Sequence, residues 1–263
     1  MGIVKTIKRK IEKKAIKKAR KQTVHKALQP FLNHLHVIHG PFSGMVYPST
    51  ESVGSTLFPK ILGSYERELH SVVESLPQRH YSDIVDIGCA EGYYAIGLAR
   101  MLPDTHVFAY DINQKALDLC KSMQNANHIA ESRIRYGHSC TPEELTSLPL
   151  GKKALIISDC ESYERHLFTP DVIKTLQQHD FLIETHDCIE LGIAQELDHR
   201  FKDTHDILTI TSVDDVQKVR YYQYPELDSF TLTEKQFLLE EQRGNIMEWI
   251  FATSKSSKSI QKD

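Results

Sequence analysis

No apolar stretch in this sequence approaches the roughly 18 residues that a membrane-spanning helix requires. The basic start is not followed by the apolar segment of a secretory signal peptide, so export by that route is not expected. Cysteine is sparse: there are five, an odd number, and none are spaced C-x-x-C. That disfavours a disulfide framework and a cysteine zinc site, and it makes a reducing cytoplasm the expected setting. No internal repeat is visible, which argues against a solenoid. The dinucleotide fingerprint G-x-G-x-x-G is also missing.

What remains is an ordinary globular composition, 40% hydrophobic and 25% charged over 263 residues. That is enough chain for one large α/β domain with a substantial core. The net charge of −3 conceals an asymmetry. Residues 1–28 hold eleven Lys/Arg against the single acid Glu12, a balance of +10 that leaves −13 for the rest. Val4, Ile7, Ile11, Ala15 and Ala19 recur at steps of three and four, so this segment is predicted to be a basic amphipathic helix. Its expected partner is an anionic membrane surface, with the protein peripheral at the inner face; nucleic acid ranks lower, and an oligomer interface is a further option.

Residues 29–77 begin as a Gly/Pro-rich loop with Phe31, Phe42 and Tyr47 interspersed, followed by one helix over about 56–76. The segment is expected to form a lid or cap, or to pack passively. Residues 78–254 alternate strands and helices. Strands are predicted at Ile84–Ile87, Thr105–Tyr110, Arg133–Tyr136, Ala154–Ile157 and Asp180–Glu184, and two more at Asp206–Ser212 and Ile246–Thr253. This order implies a doubly wound, Rossmann-like α/β fold with a seven-stranded, mostly parallel sheet whose last strand is antiparallel. Residues 255–263 read as a frayed tail.

Two local patterns carry chemistry. In Val85-Asp86-Ile87-Gly88-Cys89-Ala90-Glu91-Gly92 a strand enters a glycine-bearing turn and then a helix, so backbone N–H groups can approach a ligand. Asp111 ends the second strand, 23 residues after Gly88, where a carboxylate can accept both hydroxyls of a ribose. Together these resemble motifs I and II of class I S-adenosylmethionine-dependent methyltransferases, with Ala90 in place of the middle glycine. The resemblance spans roughly residues 83–253. It implies S-adenosylmethionine as cofactor, held by Asp86, Gly88, Cys89, Ala90, Gly92, Asp111 and Asp159, with His138 bordering the adenine.

The acceptor chemistry is expected after strands four and five, where polar residues concentrate: Ser158 to Glu164 and Glu184 to Asp187. The first stretch resembles the D-x-E-G-x-E segment of FkbM-type methyltransferases, with Ser162 at the glycine. That resemblance implies O-methylation of a hydroxyl on a saccharide or related metabolite. The N/D-P-P-Y/F motif of amino-methylating enzymes is absent. Two mechanisms fit. His186 acts as general base with Asp159 and Glu161 orienting it, or Asp159, His186 and Asp187 hold a divalent metal. The aromatics of Arg220 to Pro225 are candidates for stacking on a sugar ring or for an interface. An RNA methyltransferase using the basic arm and a non-catalytic adaptor with the same fold are the alternatives.

Overall fold

The computed structural model describes the chain from residue 2 to residue 258, and side chains from residue 9 to residue 256. Helix α1 (Gly2–Leu28) leads into a packed irregular segment and then α2 (Leu57–Leu62) and α3 (His70–Ser75). The alternating region follows: β1 (Asp83–Ile87), α4 (Tyr93–Met101), β2 (His106–Tyr110), α5 (Gln114–Ala126), β3 (Ile134–Gly137) and α6 (Pro142–Ser147). Next come β4 (Ala154–Ser158), α7 (Glu164–Leu167), α8 (Pro170–Thr175), β5 (Asp180–Thr185) and α9 (Ile193–Phe201). The chain finishes with β6 (His205–Thr211), α10 (Asp215–Tyr221), α11 (Leu232–Leu239) and β7 (Glu248–Ser254).

The seven strands form one sheet in the order β3-β2-β1-β4-β5-β7-β6. The last strand, β7, runs antiparallel to both β5 and β6, and the remaining pairs are parallel. The predicted fold class is the observed one. The strand order reverses between β1 and β4, so the loops after these strands diverge and leave a crevice at their carboxyl ends.

β1, β4 and β5 are buried along their whole length, as strands covered on both faces must be. Alternate residues feed two cores. Ile84, Val107, Leu155, Leu182 and Trp249 face one side, where they join Leu35, Val37, Phe42, Met45, Phe58 and Ile61 of the leading segment. Val85, Phe108, Ile156, Phe181 and Ile250 face the other, packing with Leu167, Phe168, Val172, Leu197 and Phe201. Residues 29–77 are therefore built into one core of the sheet.

The helix expected over 56–76 is broken. Gly63 ends α2 with φ of +80°, and a side chain there would sit 2.0 Å from the His39 carbonyl oxygen, so the chain turns where two backbones touch. At the far end, Lys255–Lys258 forms a 3-10 turn, and the rest of the tail expected to fray, 259–263, lies outside the described residues. No described helix is long and apolar enough to cross a membrane.

A buried acid joins the amino ends of the strands. Asp180 is fully buried and accepts hydrogen bonds from the Tyr81 hydroxyl (2.6 Å) and the Ser254 N–H (2.9 Å). Lys153 Nζ lies 3.0 Å from it and Arg79 3.5 Å. Removing the carboxylate leaves these donors facing each other without an acceptor. The Asp180→Ala variant is expected to lose about 3 kcal/mol in urea unfolding while keeping its ligand affinity, since the cavity is at the opposite end of the sheet. A loss under about 0.5 kcal/mol would show that Asp180 is not a structural hub.

Candidate active site at the carboxyl ends of the strands

A cavity of about 720 Å³ opens where β1 and β4 diverge. Asp86, Gly88, Cys89, Ala90, Asp111 and His138 line one part of it, and Asp159, Glu161, Glu184 and His186 another. Of the residues read from sequence, Gly92 and Asp187 do not line it. Gly92 caps α4 with φ of +99°. Asp187 accepts from the backbone N–H groups of Gly192 (2.7 Å) and Ala194 (2.9 Å), securing the start of α9. The residue that groups with Asp159 and His186 is Glu184.

The turn after β1 is shaped by close approach. A side chain at Gly88 would meet the Asp159 carbonyl oxygen at 1.9 Å, so glycine lets the exits of β1 and β4 touch. Ala90 takes a left-handed conformation, φ +47°, and its N–H donates to Asp111 Oδ2 at 2.9 Å. Asp111 Oδ1 accepts from the Asn113 N–H at 2.7 Å, and His138 Nδ1 lies 3.1 Å from the Asp111 carbonyl. The carboxylate thus clamps the turn while lining the cavity. Glu91, next in sequence, turns away to a buried ion pair with Lys60 (2.6 Å) and holds the Ser52 hydroxyl and Val53 N–H. This anchors the loop whose residues Val53, Gly54 and Ser55 line the cavity.

At the other end, His186 is ringed by carboxylates. Its Nδ1 is 3.1 Å from Glu164, and its Nε2 is 3.3 Å from Asp159, 3.8 Å from Glu184 and 3.9 Å from Glu161. Burial alone would lower its pKa, but hydrogen bonds to Asp159 and Glu164 prevail and push it up to about 11. The ring is therefore an imidazolium near neutral pH, whereas a general base there must be neutral. Burial would raise Asp159, but the His186 hydrogen bond outweighs it and holds its pKa below the usual value. Burial and the adjacent Asp159 push Glu184 well above it. The pKa values of these neighbouring carboxyls are thus driven apart, Asp159 downward and Glu184 upward. Glu184 also pairs with Arg243, which reaches Glu66 at 2.6 Å and Glu241 at 2.9 Å.

Asp159, Glu184 and His186 offer one donor atom each, all within 4.8 Å of one another. An imidazole with two carboxylates suits a first-row transition metal. However, Glu184 is already paired with Arg243, and His186 is held as a cation. Two positive charges thus already stand against the carboxylates of the set.

Glu164 and Glu184 fall within the polar stretches read from sequence but carried no assigned role there, and Arg243 and the role of Glu66 were not read from sequence at all. Glu184 alone had a local signal, since residues two apart near a strand end share a side with His186. Tyr222 and Tyr224, candidates for sugar stacking, instead lie against the Arg67 guanidinium at 4.8 and 5.6 Å. The aromatics that line the cavity are Tyr65, Tyr93, Tyr94, Tyr110 and Tyr163.

A family model described as "Methyltransferase small domain" matches residues 70–148. Ribosomal protein L11 methyltransferase of Legionella pneumophila is 32% identical over 124 residues, covering 43% of this chain and 41% of that one. Ribosomal RNA large subunit methyltransferase G of Shewanella amazonensis is 28% identical over 65 residues, covering 25% and 17%. The chain thus spans less than half the length of these curated relatives. Among solved structures, Precorrin-6y C5,15-methyltransferase from Geobacter metallireducens aligns with a TM-score of 0.43 and 13% identity, over 66% of this chain and 80% of its own. TrmN from Thermus thermophilus gives 0.43 and 15%, over 75% and 52%.

The cavity fits S-adenosylmethionine on its own terms. Asp86 Oδ2 is buried without a hydrogen-bond partner, on a side chain that lines the cavity, and so suits an ammonium group. Burial pushes the Asp86 pKa up to about 7. A cationic group binds the ionised form, so affinity for S-adenosylmethionine is expected to rise as pH increases through about 7 and then level off. Calorimetric titration should show Asp86→Asn abolishing that dependence and Asp111→Ala abolishing binding; a pH-independent wild-type affinity would detach Asp86 from the ligand. The methyltransferase match spans residues 70–148, and the sheet order with the turn and acid at its switch point agrees with the class I S-adenosylmethionine-dependent methyltransferase expected from the sequence.

Proposed function

We propose that the protein methylates a hydroxyl oxygen on a saccharide or related small metabolite, with Asp159 receiving the hydroxyl proton. The observation that carries this reading is the Asp159 carboxylate, which lines the cavity beyond β4, is held ionised by His186 and keeps 36% of its side-chain surface open. S-adenosylmethionine, when bound, supplies a methyl group activated on a positively charged sulfur. An oxygen that begins to bond to that carbon makes its own proton far more acidic, so even a weakly basic carboxylate accepts it.

His186 need not be a base. As an imidazolium locked between Glu164 and Asp159, it aims Asp159 and keeps it charged. Glu184, next to Asp159, has its pKa raised while that of Asp159 is lowered, so Asp159 is the carboxylate of the pair that ionises more readily. Glu161 is mostly exposed at the rim, placed to meet a second polar group of the acceptor. Tyr65, Tyr94 and Tyr163 give the cavity aromatic walls, which suit the apolar face of a sugar ring.

At saturating cofactor, Asp159→Asn is expected to lower kcat by about a hundredfold or more, with little change in cofactor affinity. His186→Ala is expected to lower it by a smaller factor, acting through Asp159. The wild-type kcat should stay flat between about pH 6 and 8, where a neutral-histidine base would show an inflection. Full turnover by Asp159→Asn would remove Asp159 from the mechanism. Labelled methyl appearing in RNA rather than in saccharide fractions would transfer the enzyme to the RNA class.

The charge balance set by Arg243 and His186 yields a separate expectation. Turnover should survive exhaustive treatment with EDTA, without recovery or gain on adding manganese. Loss on chelation with restoration by a divalent ion would assign Asp159, Glu184 and His186 to a metal instead.

A further inference from the structure

The first two-thirds of α1 stand clear of the body. Residues 9–19 are all exposed, with Ile11 at 62% and Ile16 at 51%. Docking begins at Arg20, which pairs with Glu240, and continues through the buried Thr23, Ala27 and Leu28. At 1.5 Å per residue, the stretch from Gly2 to Ala19 reaches about 27 Å from that attachment. A helix turns about 100° per residue, so Ile11 lies about 160° around the axis from Ala27. The apolar stripe through Ile11 and Ala15 is thus turned away from the side that packs on α11.

We propose that this arm docks the protein on an anionic phospholipid surface. From Arg9 to Lys21 it carries eight Lys/Arg and one acid, Glu12, while the remainder of the chain beyond residue 28 has a charge of −13. Attraction to a negative surface is therefore confined to the arm, and the body is repelled from it. Three features favour lipid over RNA. Six of the eight cations are lysines, whose long stems lie along an interface while the ammonium stays in water. Residues 1–28 contain no Phe, Tyr or Trp on which a base would stack. Ile11, on the stripe turned away from the body, gains nothing from phosphates but gains from entering the acyl boundary. A second copy of the arm is disfavoured as occupant, because two segments each at +10 repel.

The test is sedimentation of the full chain with vesicles of phosphatidylglycerol and phosphatidylcholine, with phosphatidylcholine alone, and with a single-stranded RNA oligomer as competitor. The protein should sediment with the anionic vesicles only, and less so as salt rises from about 50 to 200 mM. The charge-reversed variant K13E/K14E/K17E/K18E should stay in solution. The variant Ile11→Ser, which keeps every charge, should bind about tenfold more weakly. These positions are remote from the cavity, so unaltered S-adenosylhomocysteine binding certifies that each variant is folded. Failure to bind anionic vesicles overturns the proposal. It is equally overturned if RNA displaces the vesicles at matched charge while Ile11→Ser binds as wild type, or if the arm only drives self-association.

Discussion

One guanidinium holds the two halves of the cavity wall together. Arg243, in the loop before β7, pairs with Glu66 from the leading segment, Glu184 from β5 and Glu241 just after α11. All three acids are buried, and burial pushes Glu66 up to about 7 even with the cation present. Arginine suits this position because it stays charged in a protein and presents a planar fork to several carboxylates. Without it, the three acids would either repel one another or take up protons and lose their orientation. The Tyr94 hydroxyl donates to Glu66, and Lys218 meets Glu241 at 2.6 Å, so the same network reaches α4 and α10.

From Arg243 the charge order passes toward the cavity. Glu184 lies between Arg243 and His186, His186 between Glu164 and Asp159, and Asp159 faces the open space. Each cation is placed between carboxylates that come from different segments of the chain. A site organised this way offers a fixed carboxylate rather than a titrating imidazole as its reactive group. That arrangement suits a reaction in which the acceptor atom becomes acidic as it reacts, because no strong base is needed beforehand.

What could be read from sequence was what is local. The turn from Asp86 to Gly92 and the acid Asp111 each lie within one strand-to-helix unit, and the alternation that defines the sheet is a short-range pattern. The break at Gly63 was hidden because the apolar spacing of α2 and α3 continues across it; only the His39 backbone, from a distant loop, explains it. Short helices such as α6, α7 and α10 span too few turns to show a period. Asp187 lies off the cavity while Glu184 and His186 line it, because the side of an extended chain to which a residue points changes with every step. Glu66 and Arg243, 177 residues apart, have no local signature at all.

The loops on either side of the cavity share an unusual backbone. Ala90 after β1, and Glu161 and Ser162 after β4, all have positive φ, at +47°, +55° and +80°. For residues with a side chain this costs roughly 1–2 kcal/mol each, so something must hold them there. The Ala90 N–H is fixed by Asp111, and the Cys160 N–H by Glu164, the same acid that grips His186. The carboxylates of this site therefore act on the backbone as well as on ligands. Alanine at the middle of the turn does not dismantle the motif, because Asp111 enforces the conformation that glycine would adopt freely. The consequence is that Asp111 and Glu164 cannot be exchanged for neutral residues without also releasing the loops they restrain.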